Sequence, residues 1–122
     1  MSEKEVVDSF VGQFTSNGEI ENDSSDKVDY FPRPGVVLTI ERRGDDDSTY
    51  YAKISFSGEP FAAADILSKM AFVVEDQSLV ARNVEVRPGL LVTETLTMRD
   101  DGNMRHDLVF SDNDRGGWIC EN

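Results

Sequence analysis

Glu94 and His106 are the two residues of this sequence whose types and spacing could do chemistry together. Between them, Asp100, Asp101 and Gly102 form a three-residue loop, with Gly where a left-handed conformation is needed, so a type I turn closed by a bulge is expected. Counting outward from that loop, Met98 faces Met104, Leu96 faces His106, Glu94 faces Leu108 and Val92 faces Phe110. These residues share one side of the ribbon, and apart from Glu94 and His106 that side is apolar. The hairpin therefore holds a carboxylate diagonally adjacent to an imidazole on the face turned toward a core or cavity. A carboxylate favours the charged form of a neighbouring imidazole. Such a pair can read the polar end of a ligand, or serve as the acid and base of an isomerase or hydrolase. A structural pair that satisfies itself is the competing account.

Other chemistry-bearing residues point to less. Cys120, the single cysteine, has no identified basic neighbour to stabilise a thiolate and reads as a small packing residue. Residues 112–117, DNDRGG, resemble the start of an acidic calcium loop with Gly117 in sixth place. The glutamate required in twelfth place would fall beyond Asn122, so an acidic hairpin turn is expected. Asp45, Asp46 and Asp47 have too few convergent partners to specify a metal, and neither a Gly-rich phosphate loop nor a nucleophile elbow occurs. No metal or cofactor is expected. Tyr50, Phe56, Leu96, Met98 and Trp118 are the residues that would line a pocket around Glu94 and His106, or equally fill a solid core. Tyr30, Phe31 and Arg33, set among two prolines, are the candidates for a protein contact, because rigid aromatics and arginine commonly anchor interfaces.

The elements that must position these residues are short strands. Residues 10–14, 36–42, 49–56, 71–75, 79–86, 90–99, 103–110 and 116–120 read as strands, most of them alternating apolar and polar positions. Tight, Gly- or Asp-containing turns join most of them, at residues 44–48, 76–78, 87–89 and 100–102. Pro60 suits the first turn of a helix over residues 60–70, with Phe61, Ala64, Leu67 and Met70 on one face. A two-turn helix over residues 3–9 would carry Val6, Val7 and Phe10 and needs docking to persist. Residues 15–34 read as an acidic mobile loop or lid, because 15–27 hold almost no apolar anchor. An antiparallel meander of about eight strands must hide its apolar face and its edges. A small up-and-down barrel with one short inserted helix does this, and a curled sheet packed on that helix is the alternative.

A chain of 122 residues is read as one domain, 1–122, large enough for its own core. The net charge of −12, from 24 acidic against 12 basic residues, would repel phosphate backbones and anionic membranes, so nucleic-acid binding and membrane insertion are not expected. A lone cysteine and an acidic N-terminus without a long apolar run fit a cytoplasmic protein. The oligomeric state is left open.

Three motifs carry a resemblance. Phe10, Gly12 and Phe14 in VDSFVGQF, Gly58 and Phe61 in ISFSGEPF, and the hairpins over residues 72–110 resemble the calycins, and within them the intracellular fatty-acid-binding proteins. The resemblance implies a barrel with an internal space. The family holds its ligand's carboxylate with an Arg-x-Tyr on the last strand, where this chain reads WICEN, so no ligand residue transfers. The acidic residues 15–27 also stand where the family has a helical lid. Together these readings lead to a non-enzymatic protein that binds a small, mostly apolar ligand, with Glu94 and His106 at its polar end. The competing reading is an interaction or inhibitor module with a filled core, offering acidic loops and residues 30–34 to a basic protein partner.

Overall fold

A period of two makes each strand apolar on one face only, and the chain hides that face by closing on itself. The computed structural model describes residues 2–21, 34–44, 50–58, 61 and 64–122. In order these form α1 (Glu3–Phe10), β1 (Gly12–Glu21), β2 (Val37–Gly44), β3 (Tyr50–Ser57), α2 (Ala64–Leu67), β4 (Phe72–Glu75), β5 (Ser78–Arg87), β6 (Leu90–Met98), β7 (Met104–Phe110) and β8 (Arg115–Glu121). Each strand pairs antiparallel with its sequence neighbours, and β8 returns to β1. The result is the closed eight-stranded barrel expected from the sequence, and not the open curled sheet.

Turn chemistry sets the registers. Arg99 N–H donates to Asn103 O around a loop whose Gly102 has φ +85°, and the register runs Met98 to Met104, Leu96 to His106, Glu94 to Leu108 and Val92 to Phe110. The anchoring hairpin is therefore as the sequence requires. Between β4 and β5, Asp76 and Gln77 both have positive φ, the signature of a two-residue type I′ connection, so Ser78 belongs to β5 rather than to the turn. Pro88 and Gly89, the latter at φ +80°, join β5 to β6 in the manner of a type II turn. Asn113, with positive φ, closes the acidic turn between β7 and β8.

Buried and outward-facing positions alternate along β6 and β7, and the core lies inside the barrel. One end is covered by α1. Its start is a capping box in which Ser2 and Glu5 bond reciprocally, worth about 1 kcal/mol at such a position. Val6, Val7 and Phe10 are buried against the core, each contributing roughly 1.5–3 kcal/mol, so docking supplies what two turns of helix lack.

The structure corrects three further local expectations. Phe10 ends α1 instead of opening a strand, and β1 begins at Gly12. Residues 15–21, expected in the acidic loop, instead continue β1: Thr15 pairs with Glu121, Ser16 with Cys120, Ile20 with Trp118 and Glu21 with Gly117. The free edge of β8 recruits this polar segment, because closure satisfies main-chain donors and acceptors whatever the side chains. The helix expected over residues 60–70 is a single turn, Ala64–Leu67, with Leu67 buried and Phe61, Ile66 and Met70 packed against the core. Pro60, the remainder of the acidic loop at residues 22–33 and the aspartates at 45–47 lie outside the described residues. No helix among the described residues is long and apolar enough to cross a membrane.

Candidate functional site

Strands β6, β7 and β8 bring the site together from one residue each at neighbouring positions. Leu96 and Trp118 flank His106 across the two ladders, and Glu94 lies one inward position farther along β6. His106 Nε2 and Glu94 Oε1 are 3.1 Å apart, and both side chains are fully buried. The Trp118 ring lies against the imidazole, with centroids 4.1 Å apart and planes tilted by 42°. Leu79, Ala81, Leu96 and Leu108 complete an apolar surround by cross-strand pairing with these positions.

What sets the pair apart is the hydrogen bonding it leaves unmade. With the imidazole donating from Nε2 to the carboxylate, Nδ1 is the remaining ring nitrogen and Oε2 the remaining carboxylate oxygen. Among the described residues neither atom has a hydrogen-bond partner. A buried polar atom left in this state costs about 1–3 kcal/mol. The arrangement can accept hydrogen bonds at Oε2 and either accept or donate at Nδ1, according to the protonation of the ring.

Of the residues expected to line a pocket, Glu94, His106, Leu96 and Trp118 converge. Tyr50, Phe56 and Met98 are partly buried and pack against the same core. Tyr50 and Met98 lie at the strand ends near α1. Phe56 pairs with Leu38 near the other end of β3, and its ring stands edge-on to that of Phe61, with centroids 5.0 Å apart. Their faces were assigned correctly, but position along the barrel axis is not contained in a period of two. Tyr30, Phe31 and Arg33, the candidates for a protein contact, lie outside the described residues.

Two polar features escaped the sequence reading. Ser16 is buried beside Cys120, because β1 runs on past Phe14. Arg42 stands at the α1 end, with Nε 2.7 Å from Asp8 Oδ1 and its guanidinium 5.5 Å from the centre of the Tyr50 ring. The sequence signal was its place in the alternating row Leu38, Ile40, Arg42. Cys120 is buried as expected. Burial pushes its thiol up to about 11, opposed only in part by a hydrogen bond with Trp118, so at neutral pH it is protonated and a poor nucleophile. Among the described residues no cluster of three or more His, Cys, Asp or Glu side chains could hold a metal ion.

Comparison with family models, with curated proteins and with solved structures returned no match.

Proposed function

We propose that the barrel takes up a small, mostly apolar molecule and that Glu94 and His106 read its polar end. The observation that carries this reading is the pair of fully buried polar atoms, Glu94 Oε2 and His106 Nδ1, without partners among the described residues. A core kept only for stability gains little from such a pair, since well-packed apolar residues of similar volume are often as stable or more so. A ligand group bonded to those atoms removes their cost and is fixed in orientation by doing so. The surrounding Leu96, Leu108 and Trp118 suit an apolar body. The closed meander is also in keeping with the calycin resemblance, which associates this architecture with internal binding. A lone, buried cysteine fits a reducing, cytoplasmic setting.

One observation favours a second reading. The side chains around the pair, Leu79, Leu96, Leu108 and Trp118, are themselves buried with little or no exposure, as expected of a filled core. On that reading the protein acts through its surface, offering acidic loops to a basic partner.

Native mass spectrometry of the protein as purified from cells, set against denaturing spectra of the same sample, separates the two. A defined extra mass that disappears on denaturation is the outcome expected for the binding protein, and it gives the ligand's class. An unliganded mass that stays unshifted after incubation with a mixed lipid and metabolite pool replaces the first reading with the second.

A further inference from the structure

The ligand's polar end has a sign, and three independent features agree on it. The first is Glu94 Oε2, a fully buried carboxylate oxygen with no partner among the described residues. A carboxylate oxygen accepts hydrogen bonds in the ionised form, and a group that answers that form must donate. A second carboxylate placed there would set two like charges in contact in a dry interior. The second feature is the Trp118 ring, which lies against His106, so that an aromatic side chain borders the pair. Aromatic faces attract cations and do not attract anions.

The third feature is a cleft that Met98, on the same inward row as Glu94, helps to line. A cleft of about 370 Å³ opens between α1 and the hairpin ends, with Val6 and Ser9 on one side and Asp76, Met98, Arg99 and Asp100 on the other. Arg99 is already paired, its Nη2 standing 3.3 Å from Asp101 Oδ2, so the rim is left acidic by Asp76 and Asp100. Met98 belongs to the inward row of β6 that continues through Leu96 to Glu94. Four strand residues make that path about 13 Å long. In a chain of net charge −12 this rim concentrates cations and repels anions.

We infer that the molecule taken up between Glu94, His106 and Trp118 is a protonated amine on an apolar body, entering past Met98 between α1 and the acidic hairpins. The inference rests on the reading of the barrel as a ligand-binding protein, which it makes specific. The ammonium group donates to Glu94 Oε2, its charge is balanced by the carboxylate, and its stem packs along Leu96 and Met98. Met98 and α1 give way on entry, because Glu94 and His106 are closed off from solvent in the unliganded chain.

The test compares three probes of one chain length, octylamine, 1-octanol and octanoate, by the fluorescence of Trp118 and the NMR ring signals of His106. These are the only tryptophan and the only histidine, so each signal has one origin. Octylamine is expected to bind at least about tenfold more tightly than octanol, with octanoate weakest. Glu94→Gln is expected to abolish that preference while leaving octanol binding in place. Octanol or octanoate binding as tightly as octylamine overturns the amine and leaves ligand binding standing. Binding by none of the three overturns the ligand-binding reading itself. Should Glu94→Gln fail to fold, the exposed pair Asp76→Asn with Asp100→Asn serves instead. It is expected to slow octylamine association several-fold at low ionic strength and to leave octanol unaffected, and equal slowing of both, or of neither, overturns the acidic entry.

Discussion

Three consecutive residues of β7 belong to two acid–base side-chain pairs that could hardly differ more. Arg105 and Asp107 point outward, with Nε 2.8 Å from Oδ1 and about a third of each side chain exposed. His106 between them points inward and meets Glu94 in a space closed to solvent. The outer pair exchanges one set of good hydrogen bonds for another, and pairs of its kind contribute about 0–1 kcal/mol. The inner pair loses water's hydrogen bonds and does not replace all of them. The difference teaches that proximity of an acidic and a basic side chain says little about purpose. The outer pair can be explained by its surroundings alone, whereas the inner one invites a functional explanation because its surroundings do not fully satisfy it.

The comparison can be broken most forcefully at His106. His106→Ala leaves a buried carboxylate without its partner and a hole beside Trp118, and is expected to cost about 3–5 kcal/mol in urea unfolding. The double replacement Glu94→Leu with His106→Leu is expected to recover most of that loss while abolishing ligand uptake. A double variant as unstable as the single one would mean that the pair is a structural necessity.

Cys120, also inward and next to Trp118 along β8, measures how strongly the interior resists charge. Its folded-state thiol lies near 11 against an ordinary 9.0, so the stability it contributes is present below pH 9 and lost as pH rises through 11. The loss is expected to reach about 2 kcal/mol. Unfolding midpoints taken across pH 8–11 should fall more steeply for the native chain than for Cys120→Val.

A smaller effect sharpens the outer half. The Arg105–Asp107 pair lies over Gly117, where an added Cβ would stand 2.6 Å from Asp107 Oδ1 and 3.0 Å from His106 O. The aspartate can swing away, but the backbone carbonyl must shift. Gly117→Ala is expected to cost about 1 kcal/mol, and less when Asp107 is also alanine. Asp107→Ala by itself is expected to change thermal stability by less than about 1 kcal/mol. A larger loss would show that the outer pair is more than a surface contact and would collapse the distinction.

How far the sequence reveals these arrangements depends on how local their causes are. The β6–β7 register follows from Gly102 and the alternation on either side of it, so Glu94 and His106 were legible as an inward, diagonal pair. The contact of His106 with Trp118 was not, because it depends on how β8 pairs with β7, and the intervening turn was legible only as acidic. Residues 15–21 were misread for a related reason: their composition is that of a loop, and their strand partner stands at the far end of the sequence. Of the helix expected over residues 60–70 the described part is the single turn Ala64–Leu67, because the spacing of Phe61, Ala64, Leu67 and Met70 fixes a buried face and not a length. Tyr50 and Phe56, both packed against the core, show a similar limit, since facing inward does not place a residue at a given height in the barrel.

The seam between β1 and β8 has a consequence for how the chain reaches its final form. Seven of the eight ladders join strands adjacent in sequence, five of them across connections of two to five residues. The eighth joins Thr15 to Glu121 and must wait for almost the whole chain, at the entropic cost that distant contacts carry. During synthesis the growing sheet therefore carries two open edges, and β1 has no partner for its polar second half until β8 leaves the ribosome. Removing residues 115–121 would leave β1 and β7 unsatisfied together, and two such edges on one molecule can template chain-to-chain addition in both directions. The last strand is thus also the one that makes the molecule a finite object.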